Sequence, residues 1–465
     1  LVPSIVQSEF RAEAARYLDP KANGGKGFNY HIEPGASRAE RIAAYKDPQH
    51  HFAVMTHSAF RDDMIHMGAQ QAGIEPAAMR DRLAAMNPAE RKPWIQGVMR
   101  KEGIHFDYVS VDEFQGALNR LGKEDSSYAN VLGALSQATP YFVAASADLV
   151  KNDRSEIFSL LSFLDPERYA DRGEFMRRYG ADTEGSKRAL KQELNSYVYS
   201  HKIDPEGVQA LKQTVNVDLN DRQHAAIAEL KKHLASARLA RMTGKTDVAA
   251  IKTLMPERFT DVPEDQHEAV AKELSRHLGL VRESAMSKLI DDTGISAKYD
   301  RAVELANRRK GKPGIIFAHR IESVNELAKK LQAEGHAVTV LTGKDSPEEK
   351  AGKVREFRAK GGVLVASDAA STGMNAQNAK WVVQYDTPQT AMVHAQRGAR
   401  AYRVGQTDDV ELIDLVANHD HERQARDRLA KKYELRELMT SPLESMDDTG
   451  LAYYLQQRDS ERSEN

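Results

Sequence analysis

Two short stretches hold the residues best suited to chemistry. In Phe106-Asp107-Tyr108-Val109-Ser110-Val111-Asp112-Glu113-Phe114-Gln115, an apolar, β-prone run ends abruptly in two adjacent carboxylates. Ligands of open α/β sheets bind beyond the carboxyl ends of strands. A carboxylate there, Asp112, suits Mg²⁺, which takes one or two carboxylates together with phosphate oxygens. Its neighbour Glu113 is placed to orient or deprotonate an attacking water. The same pair also fits an ordinary strand running into a polar turn.

The second stretch is Gln396 to Gln406, Q-R-G-A-R-A-Y-R-V-G-Q. Arginines alternate with small residues, and Arg400 and Arg403, three apart, share one side if the segment is helical. Guanidinium stays charged and its planar fork matches phosphate oxygens. A solvated basic helix is the competing reading. A third unusual stretch, Ser367-Asp368-Ala369-Ala370-Ser371-Thr372-Gly373-Met374-Asn375, precedes it by about one strand-helix unit.

These residues need a scaffold, and the chain is long enough to supply one. Its 465 residues predict more than one domain. Apolar residues make up 41% and charged residues 29%, which is ordinary for a soluble globular chain. The net charge is only -2, so a polyanionic partner must meet a local basic surface. Cysteine is absent, which excludes disulfides and thiolate chemistry and fits a reducing, cytoplasmic setting. No apolar run is long enough to span a bilayer, and no membrane association is expected. The chain begins without Met, and Leu1 to Val6 has no charged leader, so it reads as a piece of a longer polypeptide.

Leu1-Val2-Pro3-Ser4 reads as the tail of a buried strand. Short β-prone runs at Phe28–Glu33 and Phe52–His57 alternate with helical stretches, which predicts a parallel sheet with covering helices. A helix-rich insertion is expected at about 62–104. Tyr141 to Ser146 is a further strand, and the apolar run from Glu156 is a helix stopped before Pro166. Residues 173–295 carry no long β run and read as a helical connector. From 296 to 435 five strands alternate with helices. One of those helices opens with Ser346-Pro347-Glu348-Glu349, a serine cap with proline first and glutamate three on. Residues 436–465 form a charged tail. The fold class is therefore α/β.

Taken in order, the motifs resemble those of the Swi/Snf-type branch of superfamily-two helicases. Leu1 to Ser4 and Val54-Met55-Thr56-His57-Ser58 resemble the family's early nucleic-acid-contacting motifs. Asp112-Glu113-Phe114-Gln115 matches its Walker B box. Ser146-Ala147-Asp148 matches the coupling motif, and Ser296-Ala297-Lys298 with Ile315 to His319 the start of the second lobe. Ser367 to Asn375 resembles the motif touching both nucleic acid and nucleotide, and Gln396 to Gln406 the arginine-finger motif.

The resemblance implies two RecA-like parallel-sheet lobes with ATP and Mg²⁺ between them, lobe one (1–172) being incomplete at its N-terminus. It implies catalytic Asp112, Glu113, Arg400 and Arg403, with Asp112 the metal ligand. It places Gly373, Asn375, Gln396, Arg400 and Arg403 at the nucleotide. Ser4, His57, Ser371 and Thr372 would touch nucleic acid, expected to be duplex DNA, and Ser146 and Asp148 would couple the two events. The implied activity is ATP-driven translocation.

The sequence departs from the family pattern in three places. Ser146-Ala147-Asp148-Leu149 stands for T-G-T-P. Tyr402 stands where the family has histidine between the arginines. The family's G-x-G-K-T phosphate loop would precede Leu1. That last departure keeps an alternative open, a non-hydrolysing nucleic-acid-binding module within a larger phage or mobile-element protein.

Met242-Thr243-Gly244-Lys245-Thr246 and Thr342-Gly343-Lys344 both lack the glycine a phosphate loop needs upstream. Gly24-Gly25-Lys26-Gly27 reads as a turn. His419-Asp420-His421-Glu422 could in principle bind metal but fits a solvated helix start better.

Overall fold

In a computed structural model, residues 1–2, 7, 10–11, 14, 29–114, 127–146, 154–199, 205–292, 294–368 and 374–438 are described. The chain forms two compact units, Leu1–Lys202 with Lys432–Asn465, and Ile203–Lys431. No helix among the described residues is long and apolar enough to cross a membrane.

The first unit is built on a parallel sheet. Strand β1 (Tyr30–His31) pairs with β2 (Phe52–Ala53), and β3 (Tyr108–Val111) with β4 (Tyr141–Ala144). Leu1 and Val2 run between these pairs. Val2 bridges Thr56 in parallel, and the Asp112 amide donates to the Leu1 carbonyl at 2.8 Å. The expected buried-strand tail at the chain start is thus in the sheet. Helix Arg38–Lys46 is closed by a reciprocal cap between Ser37 and Glu40, and Thr56 caps helix His57–Ala72. After that helix come helices Pro76–Ala85 and Pro88–Glu102, in the stretch read from sequence as helix-rich. One apolar cluster joins these helices to Val109, Val111 and Phe114 and to helices Ser127–Ala138 and Ser155–Leu164.

Helices Arg172–Tyr179 and Glu184–Leu194 belong to this first unit. Phe175, Tyr179, Leu190 and Leu194 enter its core. The Glu193 carboxylate accepts from the Tyr169 and Tyr179 hydroxyls and pairs with Arg168, which ties the end of the second helix to the first and to the segment before it.

The second unit is a six-stranded parallel sheet in the order β5-β10-β9-β6-β8-β7. Its strands are β5 (Ala210–Val217), β6 (Gly314–Ala318), β7 (Val338–Leu341), β8 (Val363–Ser367), β9 (Trp381–Gln384) and β10 (Val410–Ala417). β6, β8 and β9 are buried along their whole length, as strands covered on both faces must be. Ile316, Val365, Val383 and Ile413 pack on one face, and Ile315, Phe317, Leu364 and Val382 on the other. Gly314 lies in register with Trp381, whose indole would come within 1.9 Å of any Cβ placed there. The predicted serine-proline-glutamate cap opens helix Pro347–Lys360, with Ser346 and Glu349 bonding reciprocally.

Five of these strands are the ones the sequence predicts. The sixth corrects it. β5 lies inside the stretch read as a helical connector, paired with β10 over eight residues from Val410↔Ala210 to Ala417↔Val217. The run Ala210-Leu211-Lys212-Gln213-Thr214-Val215-Asn216-Val217 is polar at its start because Leu211 to Thr214 are exposed at the sheet edge. That weakened its β signal. The rest of the supposed connector is helical. Asp221–Met242, Val248–Leu254, His267–Arg276 and Leu278–Ser287 surround a core of Ile227, Leu230, Ile251, Leu254 and Phe259.

Buried Gln223 ties this bundle to the sheet. Its amide nitrogen donates to the Leu289 and Ile290 carbonyls, and its oxygen accepts from the Ala297 amide at 3.1 Å. Beside it, Lys298 is fully buried between Asp291 at 2.7 Å and Glu422 at 3.1 Å. Burial pushes the Asp291 carboxyl up to about 8, against the pull of Lys298. Glu422 also accepts from the Thr387 hydroxyl at 2.6 Å. The solvated helix start expected at His419–Glu422 is therefore corrected at its last residue, and no metal-binding group of three ligands exists among the described residues. Helix Asp420–Leu438 follows, and the remainder of the expected tail lies outside the described residues.

Candidate nucleotide and nucleic-acid site

In the first unit, β3 delivers Asp112 and Glu113 to the carboxyl end of the sheet. The turn is pinned on both sides. The Ala145 amide donates to the Val111 carbonyl at 2.8 Å, and the Phe114 amide to the Ala145 carbonyl at 3.0 Å. Phe114 is fully buried, its ring edge-on to Phe163 at 4.7 Å. Between these anchors Glu113 is forced to φ 52°, the one non-glycine residue at positive φ among those described. Such a backbone costs energy and persists only where its surroundings impose it. The Asp112 carboxylate accepts from the Glu113 amide at 2.9 Å, and both side chains are half-buried.

Chemically, one half-buried carboxylate at a strand end fits Mg²⁺, which leaves most of its positions to water and phosphate. It does not fit a metal that demands a full protein cage.

The structure brings two more expected residues to this turn. His57 is 55 positions away in sequence, yet its imidazole lies against the backbone of Leu1 and Asp112. Burial pulls its pKa down to about 4, so at neutral pH the ring is uncharged. Its Nε2 has no hydrogen-bond partner among the described residues. Ser146 follows β4 directly beside the Ala145–Phe114 link. Ser4 and Asp148 lie outside the described residues.

In the second unit, the carboxyl ends of β6, β8 and β9 converge on a charged network. Arg397, with no exposed side-chain surface, donates from Nε to Asp368 at 2.7 Å and from Nη2 to Asp386 at 2.8 Å. Asp386 also accepts from the His319 amide, and Asp368 bonds the His319 imidazole at 2.9 Å. Burial works against the charged Asp368, but His319 and Arg397 overcome it and hold its carboxyl down at about 2. The hydrogen bond to Asp368 raises His319 above its ordinary value despite partial desolvation. β6 is the switch point of this sheet, since the chain goes from it to β7 and β8 on one side and to β9 and β10 on the other. The network therefore sits where open α/β sheets bind ligands.

The arginine segment differs from its expected form. Helix Ala391–Gly398 ends before Arg400, and residues 399–405 are turns. Arg400 and Arg403 thus do not share a helix face. Tertiary pegs set their positions instead. Buried Gln406 donates to the carbonyls of Ala379 at 3.0 Å and Ala401 at 3.1 Å, and its oxygen accepts from the Thr407 amide. Gly405 has φ 93°, and a Cβ there would meet the Gln377 amide at 3.0 Å.

Arg400 is half-buried, and its Nη1 reaches the Met374 carbonyl at 3.4 Å, while the Ala376 amide donates to the Arg400 carbonyl at 3.1 Å. Asn375 is therefore brought beside Arg400, its buried Oδ1 without a partner among the described residues. Gln396 is half-buried on the preceding helix, and Arg403 is exposed. Tyr402 donates its hydroxyl to the Val208 carbonyl at 3.3 Å. Ser371, Thr372 and Gly373 lie outside the described residues.

Sequence reasoning missed the roles of Arg397, Asp368, Asp386 and His319. The available signal was positional, because each of the last three follows a largely apolar strand within two residues. The decoy at Met242–Thr246 is the end of helix Asp221–Met242, with Gly244 in the turn beyond it. Thr342 lies in a turn closed by Asp345, which accepts from the Thr342 amide.

Residues 297–405 match the family described as "Helicase conserved C-terminal domain". Among curated proteins, the chain is 22% identical over 361 residues to "Chromodomain-helicase-DNA-binding protein 1" of Homo sapiens, covering 75% of this chain and 20% of that protein. It is 24% identical over 381 residues to "Uncharacterized ATP-dependent helicase YqhH" of Bacillus subtilis, covering 78% of this chain and 64% of that protein. The chain thus spans about a fifth of the first relative and just under two thirds of the second. A solved structure described as "Sulfolobus solfataricus SWI2/SNF2 ATPase core in complex with dsDNA" aligns with 94% of this chain and 80% of its own. Its sequence identity is 16% and its TM-score 0.34, too low to argue from.

Residues 297–405 match a helicase C-terminal domain, and over about three quarters of its length the chain is similar to ATP-dependent helicases. Its second unit contains the helicase C-terminal lobe, with the network of Arg397 inside the matched region.

Proposed function

We propose that this chain is the ATP-hydrolysing core of a motor that translocates along nucleic acid, its track being duplex DNA, within a polypeptide carrying further domains. The observation that carries this reading is the strained acidic turn at the end of β3. A sheet that holds Glu113 in an unfavourable backbone state, with Asp112 beside it, has kept that geometry at a cost to its stability.

In this reading Asp112 holds Mg²⁺, which when bound neutralises charge on the ATP phosphates. Glu113 takes a proton from the attacking water or fixes its direction. Arg400 and Arg403 stabilise charge developing on the transferred phosphoryl group, where positioning and charge account for nearly all of the catalysis. Asn375 and Gln396 contact the nucleotide from the second unit. Gly373 shares that role, and Ser4, His57, Ser371 and Thr372 meet the nucleic-acid backbone. With a pKa near 4, His57 acts there as a neutral hydrogen-bonding ring. Ser146 and Asp148 link the acidic turn to movement along the track. Backbone contacts carry little sequence information, so binding is sequence-tolerant.

The deciding experiment measures ATP turnover by the full-length protein with and without duplex DNA, for wild type and Glu113→Gln. Stimulation by DNA in wild type and its loss in the variant support the motor. A protein that binds DNA yet turns over no ATP is instead the non-hydrolysing module.

A further inference from the structure

Helix Asp221–Met242 has one buried side, formed by Gln223, Ile227, Leu230 and Ala237. Flanking it runs a line of exposed residues at helical spacing: His224, Ala228, Lys231, Ala235 and Arg238. The basic members repeat every seven residues, and alanines fill the positions between them. Neither Lys231 nor Arg238 has an ion pair among the described residues, whereas Lys232, further round the helix, is taken by Glu229 at 2.9 Å.

A second element widens the line. His419, just before helix Asp420–Leu438, feels the charges of Lys231, Arg423 and His224, which places these cations together. The carboxylates nearby are Asp420, paired with Arg423, Asp218, bonded to the Asn418 side-chain amide at 3.0 Å beside His419, and Asp221 in the first turn of the helix. The chain as a whole carries no positive surplus, so this grouping is not a by-product of a basic composition.

We propose that this surface is a second nucleic-acid contact, separate from the motif-bearing ends of the sheets, which grips the phosphate backbone of a duplex through Lys231 and Arg238. The inference rests on the reading of the chain as a nucleic-acid motor. Seven residues of α-helix advance about 10.5 Å, so Lys231 and Arg238 are far enough apart to reach different phosphates of one duplex. The intervening alanines let the helix approach closely, where longer side chains would hold the backbone off. Lys231 and Arg238, without ion pairs among the described residues, carry the contact.

The test uses the full-length protein, a short mixed-sequence duplex and a series of salt concentrations. Each lost phosphate contact lowers the slope of log affinity against log salt by about 0.9. Lys231→Glu combined with Arg238→Glu is expected to flatten the slope by about two and to weaken binding at least tenfold. ATP turnover without DNA and the melting temperature should stay as in wild type. Lys231→Arg combined with Arg238→Lys should keep the wild-type slope. Equal slope and affinity in wild type and the glutamate variant would overturn the contact while leaving the motor intact. A glutamate variant that loses binding to polyglutamate but not to DNA would overturn it in favour of an acidic polypeptide. Wild-type protein that fails to bind DNA at all would overturn both this contact and the motor reading.

Discussion

Glu113 carries two opposed demands. Its backbone lies at φ 52°, where a residue with a Cβ is disfavoured, while its carboxylate stands at the head of a parallel strand. Glu113→Gly should relieve the strain and raise stability by about 1 kcal/mol in chemical denaturation, while abolishing ATP turnover. Glu113→Gln should abolish turnover without that gain. Arg403 is exposed and has no ion pair among the described residues. In the full-length protein, Arg403→Ala is expected to lower DNA-stimulated ATP hydrolysis at least about a hundredfold while DNA binding survives, because an arginine finger acts on the transition state. Near-normal turnover would remove Arg403 from the machinery.

The His319–Asp368 pair makes a pH prediction with a defined sign. His319 is raised in the folded state, so its stabilising contribution is complete below the unfolded value of 6.5 and fades as pH rises through the higher folded value. Asp368, held at about 2, contributes above its unfolded value of 3.8 and loses that contribution as pH falls towards 2. In an NMR titration the His319 ring should titrate above 6.5. Asp368→Asn should move that midpoint downward by removing the hydrogen bond that raises it.

At the scale of elements, the second unit depends on a buried lysine. Lys298 opens helix Ala297–Asn307, and its ammonium joins Asp291 at the end of the helical bundle to Glu422 after β10. Its ammonium also lies 5.3 Å from the centre of the Tyr385 ring. Removing the cation strands two carboxylates out of water. Lys298→Met should therefore cost roughly 3–5 kcal/mol of unfolding free energy by urea titration. A cost below about 1 kcal/mol would mean that the two acids relax into solvent or share a proton. The same logic explains why Arg397 stays charged in a dry site, since two carboxylates and the Asp386 carbonyl satisfy its donors. Arg397 joins the stretch after β8 to the helix that precedes Arg400.

At the scale of the whole molecule, composition and architecture set the partner class. With a net charge of -2, affinity for a polyanion must come from local surfaces, and binding should weaken steeply with added salt. Equal DNA affinity at low and high salt would count against phosphate contacts of any kind. The first compact unit holds two pairs of parallel strands and the second a six-stranded parallel sheet.

By itself the sequence determined most of the segments that form parallel strands, where most helices begin, and which motif order the chain follows. These are properties of local pattern: continuous apolar runs such as Ile315-Ile316-Phe317-Ala318, caps such as Ser346 with Glu349, and the abrupt Asp112-Glu113 strand end. Tertiary structure alone decided that Ala210–Val217 is a strand, because its partner is Val410–Ala417, two hundred residues away, and its own exposed edge hides the pattern. It alone ended the arginine helix at Gly398, through buried Gln406 and the close approach of Gln377 to Gly405. It alone turned Arg397, which looks in sequence like one more surface arginine, into the buried link between Asp368 and Asp386. Periodicity records which face of an element is dry. It cannot record which distant charge makes a dry place habitable for a guanidinium.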